Sequence, residues 1–255
     1  MVETKFILAG FPRTGTTVLA GSLILHPQVL FYGELFNNTK EVRHTEAQRI
    51  TLGAGWKFEE ALDWGISACR YTESTNAYVD EFFARKIPFN AIGFKIMYDQ
   101  VTEGPNSDVW DYLAAHPEIK IIRTKRENLI EIICSFVRAS MTRRWHTTGE
   151  ELPSHRFIVP PQEFLALMKR FETLPEPMYG IDETHQILEL DYHRISTDFQ
   201  GCMRDIYSFL ELESGSVVSP RLKKIARLKP NKELANYEEL KQHFQNTQYS
   251  KYFTF

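Results

Sequence analysis

The stretch from Lys5 to His26, KFILAGFPRTGTTVLAGSLILH, constrains this chain more than any other. Phe6 to Ala9 run without alternation into Gly10, as in a strand buried on both faces. Gly15 and two threonines then open a helix, which His26–Pro27 stops. The spacing from Gly10 to Thr17 is nearly that of the phosphate-binding loop G-x-x-x-x-G-K-[ST]. Thr16 stands where the lysine belongs, and the basic residue is Arg13 instead. A helix N-terminus after such a turn offers unpaired N–H groups and the positive end of the helix dipole. The amides of Thr14, Gly15, Thr16 and Thr17 form a cradle for an anion, with the two threonine hydroxyls added. In NTPases the lysine and Mg²⁺ neutralise the β- and γ-phosphates. A loop that keeps the cradle without the lysine suits a less highly charged group held without metal. The plainer alternative is a tight strand-to-helix turn capped by threonine.

The rest of the chain continues the alternation. Strands are expected at Lys5–Gly10, Val29–Tyr32, Ala91–Met97, Ile119–Thr124 and Gln186–Leu190. Helices are expected at Gly15–His26, Thr72–Lys86, Asp108–His116, Glu127–Met141, Pro161–Thr173, Thr197–Leu210 and Asn236–Gln245. Glu46 to Trp64 fits neither pattern cleanly. This order predicts an α/β fold: a single domain whose central, mostly parallel sheet carries helices on both faces. Ligands of such sheets sit at the carboxyl ends of strands near a topological switch point. Segments 11–17, 33–36, 97–99 and 124–128 all follow strands and are expected to converge there.

At 255 residues the chain has room for one large domain with a full core. A net charge of −3 gives no global field to attract nucleic acid. No apolar run approaches the ~18 residues of a membrane span, and MVETKF lacks a signal-peptide core. Cys69, Cys134 and Cys202 are odd in number, with no CxxC spacing. A cytoplasmic location, buried thiols and no metal site are expected. Nothing in the pattern favours a particular oligomeric state.

The segment FPRTGTT resembles the loop of the sulfotransferases that depend on 3′-phosphoadenylyl sulfate (PAPS), commonly P-[KR]-[ST]-G-[ST]-T. The resemblance extends in patches along most of the chain. HPQVLFYGELFN, GFKIMYDQ, RENLIEIICSFVRA, TRRW and NYEELKQHFQNTQYSKYF are similar to the bacterial glycan-sulfating branch, which includes the rhizobial nodulation-factor enzyme. It implies a P-loop nucleotide-kinase-like topology, PAPS as donor, 3′,5′-diphosphoadenosine (PAP) as product, and no metal. The expected partner is a small-molecule, glycan or glycolipid acceptor; no nucleic acid is expected.

The family places the 5′-phosphosulfate on the loop, with Arg13 beside the bridging oxygen, where charge develops. A second site must read the 3′-phosphate. An arginine just after a strand and a serine on the following helix match that family motif here as Arg126 and Ser135, by charge-assisted bonds. Their separation is nine positions, one more than in the cytosolic steroid and phenol enzymes. Those enzymes take the acceptor proton with a histidine two residues after a strand lysine; here that position is Met97, after Lys95. Bacterial members use a glutamate after the first helix, which makes Glu34 the expected base and Asp99 the alternative, with the strand lysine Lys95 as a further catalytic candidate. Tyr192 matches a tyrosine near the adenine, although His193 and Arg194 depart from its motif. Arg227 and Lys229 fall in a nucleotide-covering loop at about 221–236. Segments 36–90 and 144–160, with Trp56, Trp64, Tyr71 and Tyr78, are the expected acceptor wall. Arg138, Arg143, Arg144 and His146 form a basic cluster suited to an acidic acceptor or to a solvated helix end. Two other readings stand beside this one: a small-molecule kinase with a degenerate loop, and a non-catalytic nucleotide-binding protein.

Overall fold

The structure, a computed structural model, describes residues 4–36, 75–84, 89–102, 106–143, 145, 156–175, 177–213, 217 and 229–255. Within these, five strands form one sheet: β1 (Thr4–Gly10), β2 (Val29–Glu34), β3 (Ala91–Met97), β4 (Lys120–Lys125) and β5 (Ile187–Asp191). Their order is β2-β3-β1-β4-β5, and every neighbouring pair is parallel. All five carboxyl ends therefore lie on one edge. The chain leaves β1 toward one side of the sheet and crosses back past it between β3 and β4. The turn after β1 is thus the topological switch point at which ligands of this architecture bind.

The chain divides into two compact units. The first comprises Met1–Phe11, Gly15–Lys125 and Pro175–Pro220, and the second Pro12–Thr14, Arg126–Leu174 and Arg221–Phe255. The sheet belongs entirely to the first. On one face Phe6, Leu8, Val29, Phe31 and Ile122 pack against helices Thr16–Ile24, Tyr192–Thr197 and Phe199–Phe209 through Leu19, Leu23, Ile195, Met203 and Ile206. On the other, Phe94 meets Phe82 and Phe83 of the helix Thr75–Phe83, and Phe36 beyond β2. Both faces are covered, which is why the strands read as unbroken apolar runs. Gly93 lets β3 lie close to β1: a Cβ there would come within 2.6 Å of the Phe6 carbonyl oxygen. One-turn and two-turn helices at Tyr98–Val101, Pro177–Asp182 and Tyr192–Thr197 add to the expected elements. The first helix stops at Ile24 rather than His26, where the His26 and Leu25 amides bond back into its last turn.

The second unit is helical. Leu129–Thr142 packs along Pro161–Glu172, with the Phe136 and Phe171 rings edge to face. Phe164, Phe244 and Phe253 stack together, and Tyr237 packs on Phe253. The aromatic tail YSKYFTF thus supplies core rather than surface: Tyr249 and Phe253 are buried. Phe157 is tied by backbone bonds to Glu233 and Ala235, which fixes the helical turn Pro230–Glu233.

Candidate active site

Gly15 caps the helix Thr16–Ile24 at φ 95, a left-handed conformation that favours glycine. A Cβ there would also meet Ile195 at 3.2 Å and Tyr192 at 3.3 Å. The cap makes no side-chain hydrogen bond, and the first turn holds no acidic residue. The helix start therefore keeps its positive end open toward an anion. Thr16 is buried and its Oγ1 lies 3.9 Å from Met97 Sδ. Tyr192, expected beside an adenine, packs against Gly15 at the base of this turn.

Glu34 sits at the end of β2. Tyr32 pairs with Phe94, but Glu34 pairs with Lys95, so Gly33 and Glu34 together oppose one β3 residue. Alternation would put Glu34 on the same face as Tyr32. The bulge turns it to the face of Lys95 and Met97, the face that the first helix covers. Lys95 Nζ then reaches Glu34 Oε1 at 2.9 Å, and Gln100 Nε2 donates to Oε2 at 2.8 Å. Lys95 is only 5% exposed, so it does not snorkel outward as an unpaired strand lysine would. Thr16, Met97, Lys95 and Glu34 thus share one face at the carboxyl edge of the sheet. Asp99, the alternative base, is exposed at the start of the short helix Tyr98–Val101.

In the second unit Arg13 adopts φ 72, a backbone conformation costly for a side chain with a Cβ. Its Nε donates to Ser135 Oγ at 2.9 Å, and its Nη1 to the Trp145 carbonyl at 2.5 Å. Arg126 is 7% exposed; its Nη1 reaches the Arg13 carbonyl at 3.4 Å, and its Nε and Nη2 pair with Glu131. Glu131 lies in the first turn of the helix Leu129–Thr142, where the Asn128 side chain accepts from its amide. Arg13, Arg126 and Ser135 therefore come together, and Arg13 lies on the same serine that the second motif supplies. Arg138 forms a buried ion pair with Glu233, so this member of the basic cluster is spoken for. Lys229 is exposed before the turn Pro230–Glu233. Arg227, Arg144, His146, Trp56, Trp64, Tyr71 and Cys69 lie outside the described residues. Tyr78 is described, and its ring packs against Phe36. Cys134 and Cys202 are buried, and burial pushes both thiols up, so neither is a poised nucleophile.

Sequence reasoning missed Gln100 and the ion pair that joins Glu34 to Lys95. Each carboxylate and lysine was visible, but the bulge that aims them at each other is a matter of register.

Five parallel strands in the order β2-β3-β1-β4-β5, with a helix opening at Gly15 directly after the turn that follows β1, define an α/β class. The profile of the Sulfotransferase family matches residues 6–215, and the chain belongs to that family. It is 26% identical to Nodulation protein H of Rhizobium meliloti (strain 1021) over 251 residues, covering 97% of this chain and 94% of the relative. The Rhizobium tropici Nodulation protein H is 25% identical, covering 97% and 92%. Among solved structures, a sulfotransferase from Alicyclobacillus acidocaldarius shares the fold, with a TM-score of 0.51 at 17% identity over 96% of this chain and 92% of that one. No described helix is long and apolar enough to cross a membrane.

Proposed function

We propose that this sulfotransferase moves a sulfuryl group from PAPS to a hydroxyl of a carbohydrate or glycolipid. The observation that carries this reading is the meeting of Arg13, Arg126 and Ser135, brought together from motifs 122 positions apart. A plain phosphate loop has no use for that second group, whereas a 3′-phosphate requires one. The donor types suit such a ligand: Arg126 and the Ser135 hydroxyl for the 3′-phosphate, and a helix start with the Arg13 guanidinium for the phosphosulfate. Arg13 supplies the charge that the missing lysine would.

Glu34 takes the acceptor proton, the acceptor oxygen forms the new S–O bond, and the bridging S–O bond breaks to leave PAP. Lys95, 2.9 Å from Glu34 Oε1, holds the carboxylate aimed before transfer. The similarity to Nodulation protein H supports a bacterial glycan acceptor.

Thermal unfolding with PAP, AMP and ATP–Mg²⁺ tests the donor. PAP at a hundred times its dissociation constant adds about 2.7 kcal/mol. For a chain of this size that is a rise of about 5–10 °C. A rise with ATP–Mg²⁺ alone would favour a kinase and reject this reading. Replacing Arg126 by Ala should weaken PAP binding by about tenfold to a hundredfold, the worth of charged hydrogen bonds. Binding of adenylyl sulfate, which lacks the 3′-phosphate, should change little. Equal losses for both would remove Arg126 from the 3′-phosphate. Glu34→Gln should abolish transfer while PAP binding persists.

A further inference from the structure

Gln100 carries an oddity that the proposed reaction does not by itself explain. Its Nε2 donates to Glu34 Oε2 at 2.8 Å. A carboxylate only accepts, so this bond fixes which end of the amide faces it. The other end, Oε1, is buried and has no hydrogen-bond partner among the described residues. A buried acceptor without a protein partner costs stability, and native structures retain few of them. Gln100 lies in the turn Tyr98–Val101, whose backbone is pinned on several sides. Trp110 Nε1 donates to the Val101 carbonyl at 2.9 Å, Asn106 Nδ2 to that of Gln100 at 3.4 Å, and Thr102 Oγ1 to that of Tyr98 at 2.5 Å. Tyr98 itself is fully buried, with its ring edge to face with Phe11. Three of the turn's carbonyls are thus held, and the amide nitrogen of Gln100 bonds the carboxylate.

We infer that Gln100 is a positioning residue for Glu34, kept at a cost in stability because it fixes the orientation of the carboxylate. The inference rests on Glu34 as base in sulfuryl transfer. Lys95 holds Oε1 from β3, and Gln100 holds Oε2 from the turn that follows the same strand. A carboxylate gripped at one oxygen only rotates about its last torsion, whereas one gripped at both presents a fixed lone pair to the acceptor hydroxyl. The lysine supplies charge; the amide supplies direction without adding a second charge. A residue serving only the fold would lose stability when its hydrogen bond is removed. For Gln100 the two quantities should move in opposite directions.

The test is Gln100→Met, close in volume and unbranched but with neither donor nor acceptor. Unfolding, PAP binding and transfer from ³⁵S-labelled PAPS to a pool of chitin oligosaccharides, trehalose and a glycolipid are measured for both proteins. The variant should unfold at the same or a higher temperature and bind PAP with unchanged affinity. Its kcat should fall by about 10- to 100-fold, short of the effect of losing a general base outright, with the acceptor KM nearly unchanged. Gln100→Asn, with a shorter amide, should recover part of the rate only if it still reaches Glu34. A fully active variant would overturn the inference, as would one whose activity falls only in step with its folded fraction. If the wild type transfers sulfate to none of the pool, the reading beneath it fails instead, and the inference falls with it.

Discussion

Arg13 combines two properties that rarely coincide: a left-handed backbone and a side chain with two specific acceptors. For an L-residue that backbone costs about 1–2 kcal/mol. The turn therefore tolerates strain in order to hold a guanidinium on Ser135. This can be read out by comparing two truncations. Arg13→Ala loses the contacts and keeps the strain, whereas Arg13→Gly loses the contacts and relieves it. The glycine variant should be the more stable by about 1 kcal/mol in urea unfolding, even after its greater freedom in the unfolded chain is allowed for. Both should bind PAP at least tenfold more weakly than wild type. An alanine variant as stable as the glycine one would show that the turn is unstrained.

At the scale of elements, the strands were legible because each is a short apolar run between turn residues, buried on both faces. The long helices were legible from their spacing, but their starts were not: Asn128 and Asp198 cap helices that begin at Leu129 and Phe199, two residues later than expected. The turns at Tyr98–Val101 and Tyr192–Thr197 were not, since four to six residues carry no helical period. Nor was the bulge at Gly33–Glu34, which depends on what β3 offers opposite. For the same reason Glu34, Lys95, Arg126 and Ser135 could be named only as candidates, and Gln100 not at all. The pairing of Arg138 with Glu233 likewise joins elements far apart in sequence. Their side chains are only 11% and 6% exposed. Arg138 read as one of four solvated or acceptor-facing cations; the fold instead uses it to fasten Pro230–Glu233 to the helix Leu129–Thr142. Glu233→Ala should therefore cost about 3–5 kcal/mol, because it leaves a buried guanidinium unpaired. Replacing both partners by apolar residues, Arg138→Met with Glu233→Leu, should recover most of that. If the double variant is no better than the single one in urea unfolding, the loss comes from packing rather than from the stranded charge.

For the molecule as a whole, a buried histidine sets a lower limit to the pH range of full stability. His26 is 4% exposed at the end of the first helix, its ring 4.5 Å from that of Tyr207. Its Nδ1 accepts from the Gln28 amide at 3.2 Å, which requires that nitrogen to be unprotonated. Burial holds its pKa below the ordinary 6.5. The sign follows from linkage. Above pH 6.5 the ring is neutral in both states, and its titration adds nothing. Below 6.5 the unfolded chain takes up a proton that the folded one refuses, so stability falls with falling pH. The fall ends once the folded ring protonates as well. At pH 5.5 the loss can reach about 1.4 kcal/mol if the folded ring is still neutral there. Glu118, whose carboxyl is held low by a backbone N–H and then by His116 and Lys5, and Glu189, held low by Lys125 and Arg123, also lose stabilisation on acidification. Their share is common to wild type and to His26→Phe, which keeps the ring against Tyr207 but cannot titrate. Unfolding free energies at pH 7.5 and 5.5 for the two proteins isolate the histidine. The wild type should lose more than the variant over that interval, although the variant starts lower for want of the Gln28 acceptor. Equal losses would mean that His26 takes up its proton within the fold.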